Sequence, residues 1–300
     1  MSIARTLSNY LSLVKFSHTV FALPFALVGF TLGIVHRLSL DPSWHWKAAF
    51  LPLLVKVLLC MVFARSAAMA FNRYLDRRFD ALNPRTAQRE IPAGVIKPEH
   101  ALLFTIINSA LFIITTFFIN TTVLYLSIIA LFVILFYSYT KRITALCHLV
   151  LGVGLALAPV GAYLSIVPEF NWVPVLFALT VFTWVAGFDI IYALQDEEFD
   201  REQRLHSIPA AIGKKNALMV SNVLHFLSAC FIMMAGLEGG FHWVFWIGVI
   251  IFIALLVYQH LLVKPTDLSR VNMAFANTNG LASILFAIFA IVSFIIQPHL

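Results

Sequence analysis

Residues 72–94 read NRYLDRRFDALNPRTAQREIPAG, in which Asn72, Asp76, Asp80, Asn83 and Glu90 stand among five arginines between two long apolar runs. Asn72, Asp76 and Asp80 are spaced four apart, so on a helix turning about 100° per residue they drift only about 40° per step and share one face. Three oxygen donors in such a row have the chemistry of a hard-cation site. Residues 189–210, DIIYALQDEEFDREQRLHSIPA, repeat that spacing with Asp196 and Asp200. Each stretch has a phenylalanine just before its second aspartate, Phe79 or Phe199, and a later Ile-Pro-Ala at 91–93 or 208–210. This weak internal echo suggests two half-sites facing each other.

Ligand type narrows the chemistry. Carboxylate and amide oxygens without His or Cys favour Mg²⁺ or Mn²⁺ over zinc or copper, and Mg²⁺ is usually bound by one or two carboxylates together with substrate phosphates. Arginines interleaved with the aspartates would hold the remaining phosphate oxygens. The implied ligand is a diphosphate. The chain has no Walker loop and no GxGxxG, so a lipid diphosphate fits better than a nucleotide. The competing reading of either stretch alone is a solvated helix end whose Asp and Arg pair with each other; matched spacing in both favours a ligand.

The surrounding chain is a membrane protein. Of 300 residues 61% are hydrophobic and 11% charged, with mean hydropathy +0.92. Apolar runs of about 20 residues recur, each long enough to span a bilayer. Nine such segments are expected, at roughly 16–36, 48–72, 100–119, 122–140, 144–166, 172–195, 216–237, 241–262 and 271–296, forming one all-α bundle and one domain over 1–300. The first is read as a retained helix. Cys60, Cys147 and Cys230 lie singly in apolar runs, which indicates neither a disulfide framework nor a zinc site.

Basic residues set the expected orientation. With the N-terminus in the cytoplasm, sixteen of the twenty lysines and arginines fall on that side, Arg37 and Lys47 fall outside, and Lys56 and Arg65 lie within the second segment. Both acidic stretches are then cytoplasmic and the C-terminus is outside. They follow the second and sixth segments, so the carboxylates gather at helix C-terminal ends, where the macrodipole disfavours them unless a cation compensates.

The residues now on view resemble a known family. Asn72, Asp76 and Asp80 match the NxxxDxxxD motif of the UbiA-type intramembrane prenyltransferases, and Asp196 and Asp200 match their DxxxD motif. The likeness covers nearly the whole chain and is nearest to the 4-hydroxybenzoate polyprenyltransferase-like branch of quinone biosynthesis. It implies transfer of a polyprenyl group from its diphosphate to a small aromatic acid, in the inner membrane and with Mg²⁺. Two ions are expected, one held by Asn72, Asp76 and Asp80, the other by Asp196 and Asp200, clamping the diphosphate as it leaves. Arg85 and Arg89 are expected to cover the diphosphate, and Lys141 and Arg142 to contact diphosphate or an acceptor carboxylate. Arg77 and Arg78 read equally well as cytoplasmic anchors.

Asp189 lies seven residues before Asp196, deeper in the membrane, where an ionised carboxylate costs about 3 kcal/mol on insertion scales. It is expected to orient Tyr192 or a basic partner, to line the acceptor pocket, or to accept the aromatic proton, with the orienting or pocket role favoured over the base. Asn272, Asn277 and Asn279 read as glue between helices, and His18 and His148 as buried donors. Two departures from the family pattern leave the acceptor open between 4-hydroxybenzoate and another ring acid of a menaquinone route. Lys15-Phe16-Ser17-His18 stands where an Arg-Pro pair is common, and His206-Ser207 where Lys-Ser is common. A non-quinone acceptor and a secondary transporter with a buried Asp/Arg site are the alternatives, although a transporter site belongs near the midplane. Lipid surrounds the bundle, and neither nucleic acid nor an obligate protein partner is indicated.

Overall fold

A computed structural model describes residues 3–15 and 21–297, with only the backbone course for residues 3–7. His18 and the start of the first expected segment lie outside the described residues. The described chain is helical throughout: α1 Ile3–Leu13, α2 Leu23–Leu40, α3 Trp46–Leu82, α4 Pro98–Phe117, α5 Thr121–Thr140, α6 Cys147–Leu164, α7 Trp172–Ala193, α8 Glu197–Glu202, α9 Ile208–Glu238, α10 Trp243–Leu262 and α11 Asn279–Ile296. Nine helices among the described residues are long and apolar enough to cross a membrane, matching the nine expected segments.

Two boundaries differ usefully from expectation. The second span does not stop at residue 72: α3 runs on to Leu82, because NRYLDRRFDAL contains neither Gly nor Pro. Pro84 then forces Asn83 into an extended conformation and ends the helix. The chain before the first span folds as a separate helix, α1. In α9, Ser207 caps the start by accepting from Ala210 N–H, and Gly213, at φ 79°, breaks the helix after its first turns.

Helix α7 is the central post, packed against α6 and α9. Its Trp184 is fully buried and meets Phe25 of α2 and Phe252 of α10, while Phe286 of α11 stacks on Phe25 at 5.3 Å between centroids. Helices α2 and α6 approach closely at Gly29, where a Cβ would lie 2.1 Å from the Pro159 carbonyl oxygen. Many phenylalanines, among them Phe117, Phe118, Phe132 and Phe226, instead face outward on the lipid side.

Candidate active site

Three helix ends converge on the acidic stretches. Asn72, Asp76 and Asp80 line one face of α3 as their spacing requires, with Asn72 Nδ2 donating to Asp76 Oδ2 at 3.0 Å. Arg142, just past the end of α5, donates to Asp76 Oδ1 at 2.7 Å and to the Leu75 and Ser138 carbonyls. Its guanidinium also lies over the rings of Phe79 and Tyr139. Asp80 is buried; Arg89 donates to its Oδ1 at 2.7 Å, while Arg73 stands 3.9 Å from Oδ2.

The second stretch is less regular than the first. Leu194–Asp196 form a 3₁₀ turn that links α7 to the short α8, so Asp196 and Asp200 are not on one continuous α-helix. The turn after α3 reaches across to them. Asn83 Nδ2 donates to Asp196 Oδ1 at 3.1 Å, and Arg85 grips both Asp196 oxygens through Nε and Nη2 while Nη1 donates to Tyr192 at 2.8 Å. Lys141 Nζ lies 2.7 Å from Oδ1 of Asp200, which is fully buried. Lys141 and Arg142 thus tie the two stretches together. Burial pulls both Arg85 and Lys141 downward, but contact with Asp196 and Asp200 respectively outweighs it and leaves both above their ordinary values.

Each motif aspartate is therefore held by a base, and among the described residues no three His, Cys, Asp or Glu side chains converge as a metal shell. The donor chemistry nevertheless fits a hard cation. Asp80 Oδ2 and Asp200 Oδ2 are buried without a hydrogen bond, and such oxygens are costly unless something satisfies them. Arg77 turns away from the cluster, donating to the Tyr74 carbonyl and lying over its ring.

Below the cluster, Asp189 does not orient Tyr192; its basic partner is His148, whose Nδ1 lies 2.7 Å from Asp189 Oδ2. Asn279 joins α11 to α7 by accepting from Trp184 Nε1 at 2.8 Å, whereas Asn272 and Asn277 are exposed. Sequence reasoning passed over Arg65. It sits on α3 seven residues before Asn72, on the same face and about 10 Å deeper. Its Nη2 donates to the Lys15 carbonyl at 3.0 Å, its Nε is buried without a partner, and no carboxylate pairs with it among the described residues. The signal was available: an arginine inside an apolar span is expensive and calls for a partner.

An apolar helical bundle carrying a charged cluster where helix ends meet is an integral membrane protein with an interior polar site. The chain belongs to the UbiA prenyltransferase family, whose model matches residues 13–295. It is 31% identical over 254 residues to a 4-hydroxybenzoate octaprenyltransferase of Aliivibrio salmonicida, covering 82% of this chain and 83% of that one. A protein of the same name from Francisella tularensis is 28% identical over 243 residues, covering 80% and 82%. The solved apo structure of a UbiA homolog from Aeropyrum pernix superposes with TM-score 0.78 at 30% identity, covering 92% of this chain and 97% of that one. A UbiA homolog from Archaeoglobus fulgidus bound to DMAPP and Mg²⁺ shares the fold, with TM-score 0.66 at 22% identity over 92% and 99%.

Proposed function

We propose that this protein transfers a polyprenyl group from polyprenyl diphosphate to the ring of a small aromatic acid, 4-hydroxybenzoate or a related acceptor, in ubiquinone or menaquinone biosynthesis. The observation that carries the reading is the bridging of two aspartate motifs by the adjacent bases Lys141 and Arg142, which makes one cluster of carboxylates and cations, the chemistry that a diphosphate with Mg²⁺ calls for. The relatives named for 4-hydroxybenzoate support the acceptor class.

Asn72, Asp76, Asp80, Asp196 and Asp200 would hold Mg²⁺, which on this reading is two ions; the neighbour bound to DMAPP and Mg²⁺ supports the choice of metal. Bound Mg²⁺ would neutralise charge on the departing diphosphate. Arg85, Arg89, Lys141 and Arg142 exchange their carboxylate contacts for diphosphate oxygens, adding positive charge where negative charge develops. Departure leaves an allylic cation, which the low-dielectric interior shields from water and aromatic faces stabilise. Arg65, which has no acid partner among the described residues, binds the acceptor carboxylate, and Asp189 lines the acceptor pocket.

We place residues 1–300 in a single domain, in the inner membrane, with the motif loops and N-terminus cytoplasmic and the C-terminus outside, on the strength of the basic-residue asymmetry. The test is transfer of a labelled prenyl group in liposomes, with and without Mg²⁺, against a panel of aromatic acids. Mg²⁺-dependent transfer to one acid is the expected result. Folded protein that neither binds the diphosphate nor turns it over would overturn the reading and return the transporter to first place.

A further inference from the structure

His148 and Asp189 form a pair that the diphosphate cluster does not use. His148 is the second residue of α6 and is buried, with 4% of its side chain exposed, whereas Asp189 on α7 keeps 18%. The Ile208 N–H, in the first turn of α9, points at His148 Nε2 from 3.4 Å. An ionised carboxylate can only accept, so the nitrogen that faces it, Nδ1, carries a proton. Nδ1–H therefore donates to Asp189 Oδ2 at 2.7 Å.

This leaves Asp189 with one oxygen engaged and the other, Oδ1, without a protein donor among the described residues. Asp189 stands on α7 two turns before Asp196, and the Ile208 amide that meets His148 lies two residues past His206, whose N–H donates to the Lys141 carbonyl, so the pair sits directly beneath the charged cluster. A carboxylate kept at such depth, anchored on one oxygen and open on the other, is built to accept a hydrogen bond from something that enters.

We propose that His148 is a positioning residue that fixes Asp189 so that its free oxygen accepts the ring hydroxyl of the aromatic acceptor, making the site selective for phenolic acids. The inference rests on the aromatic-acceptor reading above. In the reaction the prenyl C–O bond breaks with its electron pair leaving on diphosphate, and a ring carbon ortho to the hydroxyl forms the new C–C bond. As it does so, the hydroxyl proton shifts toward Asp189 and lone-pair density flows into the ring. That ring carbon then loses its own hydrogen as a proton to the departed diphosphate, and the hydroxyl proton returns. Nothing is oxidised or reduced.

The experiment compares wild type with His148→Leu and His148→Asn in liposomes. The donor is geranyl diphosphate, and the acceptors are 4-hydroxybenzoate, its ring-fluorinated analogues, 3,4-dihydroxybenzoate and 1,4-dihydroxy-2-naphthoate. His148→Leu is expected to lower kcat roughly 10- to 100-fold, the size typical of losing an orienting partner. It should also steepen the dependence of rate on hydroxyl acidity, while Mg²⁺-dependent binding of geranyl diphosphate stays unchanged. His148→Asn keeps a donor at the Nδ1 position and should recover most of the rate. Normal kcat in His148→Leu, equal loss in both variants, or loss of geranyl diphosphate binding would each overturn the proposal. Wild-type protein that binds geranyl diphosphate but transfers to none of these acceptors would instead remove the aromatic-acceptor reading, and this inference with it.

Discussion

Lys141 and Arg142 are adjacent in the chain yet hold different motifs, Lys141 at 2.7 Å from Asp200 and Arg142 at 2.7 Å from Asp76. Three helix C-terminal ends meet here, where backbone dipoles add negative potential to that of the carboxylates. Two consecutive cations at the end of α5 answer both. They are not interchangeable: Arg142 donates to two carbonyls as well as to Asp76, which a compact ammonium cannot reproduce. Arg142→Lys is therefore expected to recover little of the activity lost in Arg142→Ala, with both at least ~10-fold below wild type in steady-state prenyl transfer.

Removing a motif carboxylate should separate chemistry from folding. Asp76→Ala and Asp196→Ala are expected to lower turnover by about 10³-fold or more, the scale of losing charge stabilisation at a leaving group. Their partners Arg142 and Arg85 keep 22% and 31% of their side chains exposed. The orphaned cations therefore cost less than the roughly 3–5 kcal/mol of breaking a fully buried pair. Cooperative melting in detergent beside absent turnover is the expected combination, and near-normal turnover in either variant would refute the assignment.

Much of this was legible because period and charge are local properties. The nine spans follow from hydropathy, and the shared face of Asn72, Asp76 and Asp80 from a four-residue repeat. What lay beyond the sequence is pairing across the bundle. The partners Asn83 with Asp196, and His148 with Asp189, are separated by 113 and 41 residues and are joined by tertiary packing alone. The 3₁₀ turn before Asp196 was hidden for a different reason. A four-residue spacing reads the same whether or not one helix carries it, so the second motif looked as regular as the first. The Ile-Pro-Ala echo likewise covers two structures, since residues 208–210 begin α9 behind the Ser207 cap while residues 91–93 sit in a turn before Gly94.

Chelation tests the oxygen-only donor set. EDTA should abolish binding of geranyl diphosphate in a filter-retention measurement, and Mg²⁺ or Mn²⁺ should restore it, because the motif donors are carboxylate and amide oxygens, which favour hard cations. Binding that survives chelation would mean that the arginines and Lys141 suffice by themselves.

Lys141 also predicts a pH window. Burial lowers its affinity for a proton, but Asp200 more than reverses this, so the folded value lies above the ordinary one. A raised lysine contributes stability that is fully present below its unfolded value, about 10.4, and is lost as pH rises through the folded value. The melting-temperature gap between wild type and Lys141→Met is therefore expected to stay level from about pH 7 to pH 9 and to narrow only above about pH 10.4. A gap that closed near neutrality would show that Asp200 does not hold the lysine charged.

Arg65 offers the sharpest test of acceptor binding. Lys56, nine residues earlier on α3, donates to the Phe118 carbonyl at 2.6 Å at the far end of α4, where it can reach the interface. Among the described residues Arg65 has the Lys15 carbonyl alone, and its Nε is buried without a partner. A charge left in that condition inside an apolar span is expensive unless a ligand supplies the missing carboxylate. Arg65→Leu should raise the acceptor KM by roughly 10- to 100-fold, the 1.5–3 kcal/mol of a hydrogen bond to a charged group, while leaving the KM for geranyl diphosphate within about twofold. The same variant should lose its discrimination between an aromatic acid and the corresponding methyl ester, since the ester offers no carboxylate to bind. If both KM values rise together, Arg65 belongs to the diphosphate cluster above it; if neither moves, the acceptor carboxylate is held elsewhere.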